Sequence, residues 1–179
     1  MQTKIVTAGW IAWLGAIAIH GLRQPRRKPL ISLVGPSRAG FALQSSAAVI
    51  PWLLRCPPSQ ARDKAAMALV PVSVAFGSIA VSALGKQWRI PAALIQDHEL
   101  IQAGAYAVVR HPVYLSFFGM TLAGALAASG WRVAFLSTAL FVTGTEIRVK
   151  AEERLLGERF GEEFVRYQQG VPAYLPFVR

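Results

Sequence analysis

The stretch that decides the fold is RHPVYLSFFGMTLAGALAASGWRVAFLSTALFVTGT, residues 110–145. Two apolar runs fill most of it, residues 113–129 and 131–145, and the pair Ser129-Gly130 is the one break between them. The pattern predicts two helices joined by a tight turn, because so short a break allows little else. Such a hairpin returns the chain to the side from which it started, so the residues that follow it should lie beside those that open it.

Composition favours a membrane protein. The chain is 54% hydrophobic and only 16% charged, with a mean hydropathy of +0.40, whereas about 25% of the residues of a soluble domain are charged. The net charge of +10 fits cationic membrane loops better than nucleic-acid binding, since no basic region is separable from the apolar stretches. The single Cys56 excludes an internal disulfide and a Cys-based metal cluster, and the three histidines lack metal-ligand spacing.

Five apolar segments should form helices, and they cover residues 5–22, 39–54, 65–84, 113–129 and 131–145. A membrane span needs about 20 apolar residues, and the second segment is short and contains Pro51. Basic residues directly follow the first segment, which favours a membrane anchor over a cleaved signal peptide. We therefore predict an all-α fold, an integral membrane helical bundle with about five transmembrane helices.

The Lys and Arg residues predict the orientation of this bundle. If the N-terminus lies outside the cytoplasm, 14 of the 19 fall on the cytoplasmic side. Cytoplasmic loops of membrane proteins carry such an excess. We expect the C-terminal helix to be cytoplasmic, in a bacterial-type inner membrane, with the functional residues facing the cytoplasm.

The first polar signature is Arg110-His111-Pro112-Val113-Tyr114, at the start of the hairpin. Pro112 restricts His111 to extended geometry and suits the first position of a helix. His111 should therefore cap the fourth helix, whose free backbone N–H groups favour a carboxylate or phosphate, with Arg110 as a fixed cation. By itself, Arg-His-Pro is equally typical of a basic helix start at a membrane surface.

The second polar signature follows the hairpin, where the helical pattern continues beyond residue 145. One helical face carries apolar residues at regular spacing, namely Val149, Leu156, Phe160, Phe164 and Tyr167. Glu153 lies on that face and needs a partner there, whereas Glu152 is rotated about 100° away. The two acids should therefore have different roles. The alternative is a solvated face with Glu146 and Lys150 as an i,i+4 pair.

The two signatures together offer cations, acids and aromatic rings. A ligand with a carboxylate, an ammonium and a heteroaromatic ring would suit them, and S-adenosylmethionine has all three, with a sulfonium that aromatic faces stabilise. NADPH would also use cations and aromatic rings, although it has less use for paired acids.

At these residues the chain resembles the isoprenylcysteine carboxyl methyltransferase family and, more distantly, the membrane phospholipid N-methyltransferases. The resemblance covers residues 84–176. Besides Arg110-His111-Pro112-Val113-Tyr114, it rests on these motifs in order: Leu84-Gly85, Trp88, His98-Glu99-Leu100, Gly104-Ala105-Tyr106, Glu152-Glu153, Leu156, Phe160-Gly161, Tyr167, Val171-Pro172 and Leu175-Pro176. It implies S-adenosyl-L-methionine bound at the cytoplasmic end of a helical bundle, and an acceptor that enters from the lipid.

The resemblance also implies roles for single residues. The cofactor pocket would be formed by Gly104, Tyr106, His111, Pro112, Tyr114, Glu152 and Glu153. The catalytic residues would be Arg110, Glu153 and Arg148, and no metal would be bound. Three positions depart from the family pattern: Ala105 replaces a usual Pro, Phe164 a usual Tyr, and Ser116 a common Gly.

The sequence thus predicts a membrane methyltransferase that acts on a lipophilic acceptor, prenylated or lipid-like. Residues 1–83 would form three N-terminal spans with a scaffold or substrate role, and residues 84–179 the catalytic region with the two-span hairpin. Small residues in segment 113–129 would either pack against neighbouring helices or open a lateral path for the acceptor. Two alternatives remain, an NADPH-dependent sterol-type membrane reductase and a non-catalytic membrane scaffold.

Overall fold

Helices carry most of the computed structural model, which describes residues 2–23, 31–32, 34–88, 93–94 and 98–174. Within those ranges the helices are α1 Gln2–Arg23, α2 Val34–Leu53, α3 Gln60–Leu84, α4 Pro112–Ala128, α5 Trp131–Phe160 and α6 Glu162–Gly170. The same ranges contain two 3-10 turns, Gly85–Gln87 and Gly104–Ala107. They also contain two antiparallel strands of two residues each, β1 Ile31–Ser32 and β2 Ala93–Leu94. Each predicted apolar segment forms a helix, and the predicted helical fold is confirmed.

Two helical stretches of the described residues, Thr3–Arg23 and Gln60–Gln87, are long and apolar enough to cross a membrane, and Pro112–Ala128 is a shorter apolar helix. Large apolar side chains also point outward from α1, α2, α3 and α5, among them Ile11, Leu14, Leu22, Leu53, Val72, Ile79 and Phe135. A helix that is apolar on its outer face as well as its inner one is typical of a lipid environment. The count of five spans stays a prediction.

Helices α2 and α5 touch through two glycines, Gly40 and Gly144. A Cβ atom added to Gly40 would lie 2.5 Å from the carbonyl oxygen of Gly144, and one added to Gly144 would lie 2.6 Å from that of Gly40. Any larger residue would separate the backbones, so glycine is what lets these helices approach.

Small residues of α4 serve the same purpose against α1, α2 and α3. A Cβ on Gly119 would collide with Ser73, and one on Gly124 would lie 3.4 Å from the Nε1 atoms of both Trp10 and Trp52. Ser116 accepts a 3.1 Å hydrogen bond from Trp13 Nε1. Close packing, one of the two roles predicted for these residues, is therefore what they show here, and the lateral path for the acceptor stays a prediction.

The turn between α4 and α5 is tied to the start of α3 by a buried arginine. Arg62 donates hydrogen bonds to the Ser129 carbonyl, to the Pro57 carbonyl at 2.5 Å and to Cys56 Sγ at 3.0 Å. The Cys56 N–H donates to the Ala128 carbonyl at 3.1 Å. The predicted hairpin break at Ser129-Gly130 is confirmed, and Arg62 fixes its position.

The helix that follows the hairpin does not run unbroken to Tyr167, so that prediction is wrong. Gly161 has a φ of +53°, a left-handed conformation that ends α5 at Phe160. Helix α6 then starts with Glu162 and Glu163, and acids in a first turn are favoured by the helix dipole. Phe164 and Tyr167 are buried nonetheless, so α6 folds back and the apolar stripe persists across the break.

Candidate active site

The site lies at the N-terminal end of α4, where His111 is the N-cap and Pro112 takes the first turn, as the sequence predicts. The C-terminal segment crosses this end. Arg110 N–H donates to the Pro172 carbonyl at 2.8 Å, and His111 N–H donates to the Ala173 carbonyl at 3.1 Å. These two N–H groups are therefore occupied by the C-terminal segment, and the predicted anion site at the first turn of α4 stays a prediction.

Glu153 joins the two polar signatures. Its Oε1 atom is 2.9 Å from Arg110 Nε and 3.0 Å from His111 Nε2, and its Oε2 accepts from Gln168 Nε2 at 3.0 Å. Arg110 Nη1 also donates to the carbonyls of Gln168, at 3.1 Å, and Val171. Glu153, the acid within the apolar stripe, thus has the polar partners that its position requires. Burial raises the pKa of Glu153, but the hydrogen bond with His111 and the charge of Arg110 outweigh it and lower that pKa below its usual value.

Glu152 shares His111 with Glu153 but otherwise faces other groups, and the prediction that the two acids have different roles stays a prediction. Tyr114 donates its hydroxyl to Glu152 Oε1. Arg148 Nη2 lies 4.0 Å from Glu152 Oε1, and His111 Nδ1 lies 3.8 Å from Glu152 Oε2. The Glu152 side chain is 25% exposed, so it can meet a ligand while its neighbours hold it in place.

Arg148 is the buried cation of the site, with 5% of its surface exposed. Its Nη1 donates to Gln44 Oε1 at 3.2 Å. Its guanidinium lies 5.6 Å from the ring centre of Phe41 and 5.1 Å from that of Tyr114, within the range of cation–π attraction. These contacts hold the charge 4.0 Å from Glu152.

These side chains open onto a cavity of about 150 Å³. Its polar part includes Gln87, Glu99, Arg110, His111, Arg148 and Glu152, its aromatic part includes Trp88, His98, Tyr106, Tyr114 and Tyr167, and its aliphatic part includes Leu84, Leu100, Ile101, Val113, Leu155 and Leu156. The lining therefore combines charges of both signs with flat and apolar surface.

Two tyrosines brace the cavity. Tyr167 donates its hydroxyl to the Tyr106 carbonyl at 2.6 Å, which links α6 to the turn before α4. Burial raises the pKa of Tyr167 to about 12 and that of Tyr106 well above its usual value. Both hydroxyls consequently stay protonated at neutral pH, and that of Tyr167 donates its hydrogen bond in this form.

Six of the predicted site residues line the cavity, namely Tyr106, Arg110, His111, Tyr114, Arg148 and Glu152. The other three support it from the side. Glu153 holds Arg110 and His111, Pro112 starts α4, and Gly104, with a φ of +63°, begins the turn that carries Tyr106.

Sequence reasoning missed four residues that contact the predicted ones, namely Phe41, Gln44, Gln168 and Tyr174. Tyr174 packs its ring 5.9 Å from that of His111 and donates its hydroxyl to Glu146 at 2.9 Å. For Gln44 a signal exists, since it is a polar residue inside an apolar segment. The others have none that pattern alone would reveal.

Residues 66–158, just over half of the chain, match the family model described as the isoprenylcysteine carboxyl methyltransferase family. Three relatives are each named protein-S-isoprenylcysteine O-methyltransferase. That of Schizosaccharomyces pombe is 30% identical over 83 residues, which cover 46% of this chain and 35% of the relative. That of Saccharomyces cerevisiae is 31% identical over 86 residues, covering 46% and 34%. That of Homo sapiens is 34% identical over 83 residues, covering 46% and 29%. The matched segment thus spans about a third of the length of these relatives.

Proposed function

The chain belongs to the isoprenylcysteine carboxyl methyltransferase family, and from this premise we propose that it is an integral membrane methyltransferase. It would use S-adenosylmethionine to methylate a lipophilic acceptor, prenylated or lipid-like, that carries a carboxylate. The names of the relatives support O-methylation. The observation that carries the proposal is the partly exposed Glu152 carboxylate beside the Arg148 guanidinium in one cavity.

The side chains present fit this cofactor. Glu152 can accept hydrogen bonds from the methionine ammonium, and His111 stands beside it for the methionine carboxylate. Trp88, Tyr106 and the aliphatic residues offer flat apolar surface to an adenine ring. The cavity, at about 150 Å³, is smaller than the roughly 300–1,000 Å³ of typical ligand pockets. The cofactor supplies an activated methyl group.

The residues of the chain have an aligning role in this proposal. A carboxylate acceptor is already ionised at neutral pH, so methyl transfer to it needs no general base. Arg148 is the cation we assign to the acceptor carboxylate, because it lines the cavity beside the partly exposed Glu152. Glu153 and Arg110 together hold His111 at the helix entrance.

The membrane position of the site is part of the same proposal. We infer five spans, with the cavity at the cytoplasmic face of a bacterial-type inner membrane and residues 84–179 as the catalytic region. The outward apolar faces of α1, α2, α3 and α5 support the spans, and the excess of Lys and Arg supports the orientation. The acceptor would reach the cavity through the bilayer. The N-terminal region also contributes, since Phe41 and Gln44 contact Arg148.

The test is a cofactor comparison with the purified full chain in detergent. We expect S-adenosylhomocysteine to bind in calorimetry, NADPH not to bind, and labelled methyl groups to pass from S-adenosylmethionine to farnesylcysteine. Free cysteine, which lacks the farnesyl group, is the matched control acceptor. Binding of NADPH alone would favour the reductase, and binding of neither would favour a scaffold; both outcomes would overturn the proposal. The family match and the names of the relatives support neither alternative.

A further inference from the structure

Gln44 of α2 is completely buried although its side chain is polar. Its Nε2 donates to Thr145 Oγ1 at 2.8 Å, and its Oε1 accepts from Arg148 Nη1 at 3.2 Å. Both partners lie on α5, one helical turn apart. We propose that Gln44 is a positioning residue that holds the Arg148 guanidinium in the cavity.

Chemistry fixes the orientation of the Gln44 amide. A guanidinium has only donors, so the amide oxygen must face Arg148. The amide nitrogen then faces Thr145, whose hydroxyl can accept. A flipped amide would turn its NH₂ group toward the guanidinium and lose the hydrogen bond with Arg148, although the Thr145 hydroxyl could still donate to the amide oxygen.

The position of α2 depends on the glycine contact described above. A Cβ added to Gly40 would also lie 2.5 Å from Arg148 Cγ, so the aliphatic part of Arg148 packs directly on the α2 backbone. Phe41 adds its ring on the same side, 5.6 Å from the guanidinium. Helix α2 therefore forms one wall around Arg148, although it lies outside the matched residues 66–158.

Gln44 decides which partner Arg148 faces. An arginine side chain is long and loses considerable rotamer freedom when it is held in one conformation. Without the Gln44 oxygen, the guanidinium can turn toward Glu152, whose Oε1 lies 4.0 Å from Arg148 Nη2. A close pair with Glu152 would neutralise the two charges that the proposed function assigns to different ligand groups. Gln44 thus holds the guanidinium where it would meet the acceptor carboxylate, a consequence that rests on the proposed function.

The direct test observes the Arg148 guanidinium in Gln44→Met, which keeps the side-chain length and removes both polar atoms. Full-chain protein with ¹⁵N-labelled arginine is studied by NMR in detergent micelles, and Arg148→Lys assigns the Arg148 signals. We expect separate, slowly exchanging Nη signals in the unaltered protein and averaged signals in Gln44→Met. Identical Arg148 spectra would overturn the proposal, and this result does not depend on any methyl transfer.

The kinetic test separates positioning from general support. With farnesylcysteine as acceptor, Gln44→Met should raise the acceptor KM about tenfold, as expected for the loss of a hydrogen bond to a charged group, and change the S-adenosylhomocysteine Kd by less than about twofold. Thr145→Val should raise the acceptor KM by less than Gln44→Met does. Ser137→Ala, which removes another buried hydroxyl of α5, should leave it unchanged.

Equal losses of acceptor and S-adenosylhomocysteine affinity in Gln44→Met would indicate a general structural role and overturn the proposal, as would an unchanged acceptor KM. If the unaltered protein transfers no methyl group, the proposed function fails, and the NMR comparison still decides the role of Gln44.

Discussion

The two ends of α4 both hold buried arginines, but they use them differently. At the C-terminal end, Arg62 donates to the carbonyls of Pro57 and Ser129 and to Cys56. At the N-terminal end, Arg148 faces aromatic rings, an amide and an acid that remains partly exposed. A cation bound to backbone carbonyls fastens a turn. A cation held beside an open carboxylate can still meet a ligand, and this difference separates the scaffold end of α4 from the candidate site.

The largest effect on stability should come from Arg62→Met. The change leaves the buried Ser129 carbonyl without its charged donor and also removes the hydrogen bond to the Pro57 carbonyl. Each loss of a hydrogen bond to a charged group costs about 1.5–3 kcal/mol. Denaturant unfolding in detergent should show this drop in the free energy of unfolding, while folded protein binds S-adenosylhomocysteine as before. A stability change below about 1 kcal/mol would show that Arg62 does not fasten the turn.

A smaller effect, which depends on pH, is expected for Glu153→Gln. At pH 7 the free energy of unfolding of the variant should be about 2 kcal/mol lower, because Arg110 and His111 lose a charged partner. The pKa of Glu153 is lowered in the folded protein, so the folded state binds fewer protons than the unfolded chain. This stabilisation is present above about pH 4.3, the usual value for Glu, and is lost as the pH falls through the folded pKa.

Thermal melts of both proteins between pH 7 and pH 3 would measure this difference. The difference in Tm between the unaltered protein and Glu153→Gln should disappear on acidification. A Tm difference that stays constant over the whole range would contradict the claim that ionised Glu153 stabilises the fold.

The smallest effect should come from the middle of α4, between the two ends. Ser116→Ala removes the hydroxyl that accepts from Trp13 Nε1 and should cost about 1 kcal/mol. Because Ser116 belongs to the helix packing, S-adenosylhomocysteine affinity should stay within about twofold. A loss of S-adenosylhomocysteine affinity comparable to that of a cavity variant would contradict the assignment of Ser116 to helix packing alone.

The sequence predicts the helices well because apolar runs are a local signal. Pro112 likewise identifies the start of α4, since its ring restricts the backbone wherever it stands. The break at Gly161 escapes prediction because α6 folds back and buries Phe164 and Tyr167, so the periodic pattern runs on across it.

The unpredicted contacts are long-range. The carbonyls of Pro172 and Ala173 bind the N–H groups of Arg110 and His111, and backbone groups leave no mark in the sequence. Gln44 reaches Arg148 only because two glycines let α2 approach α5. Residue types on one helix face can be read from spacing, but the partner of a polar side chain depends on how the helices meet.

The central claim is that Glu152 meets the cofactor while Glu153 holds the residues around it. Calorimetry of S-adenosylhomocysteine binding to Glu152→Gln and Glu153→Gln, side by side with the unaltered protein, tests it most directly. Loss of a hydrogen bond to a charged group should lower the affinity of Glu152→Gln about 10- to 150-fold, and that of Glu153→Gln by less, since its effect passes through Arg110 and His111. Glu152→Gln protein that binds as tightly as the unaltered chain would contradict the account.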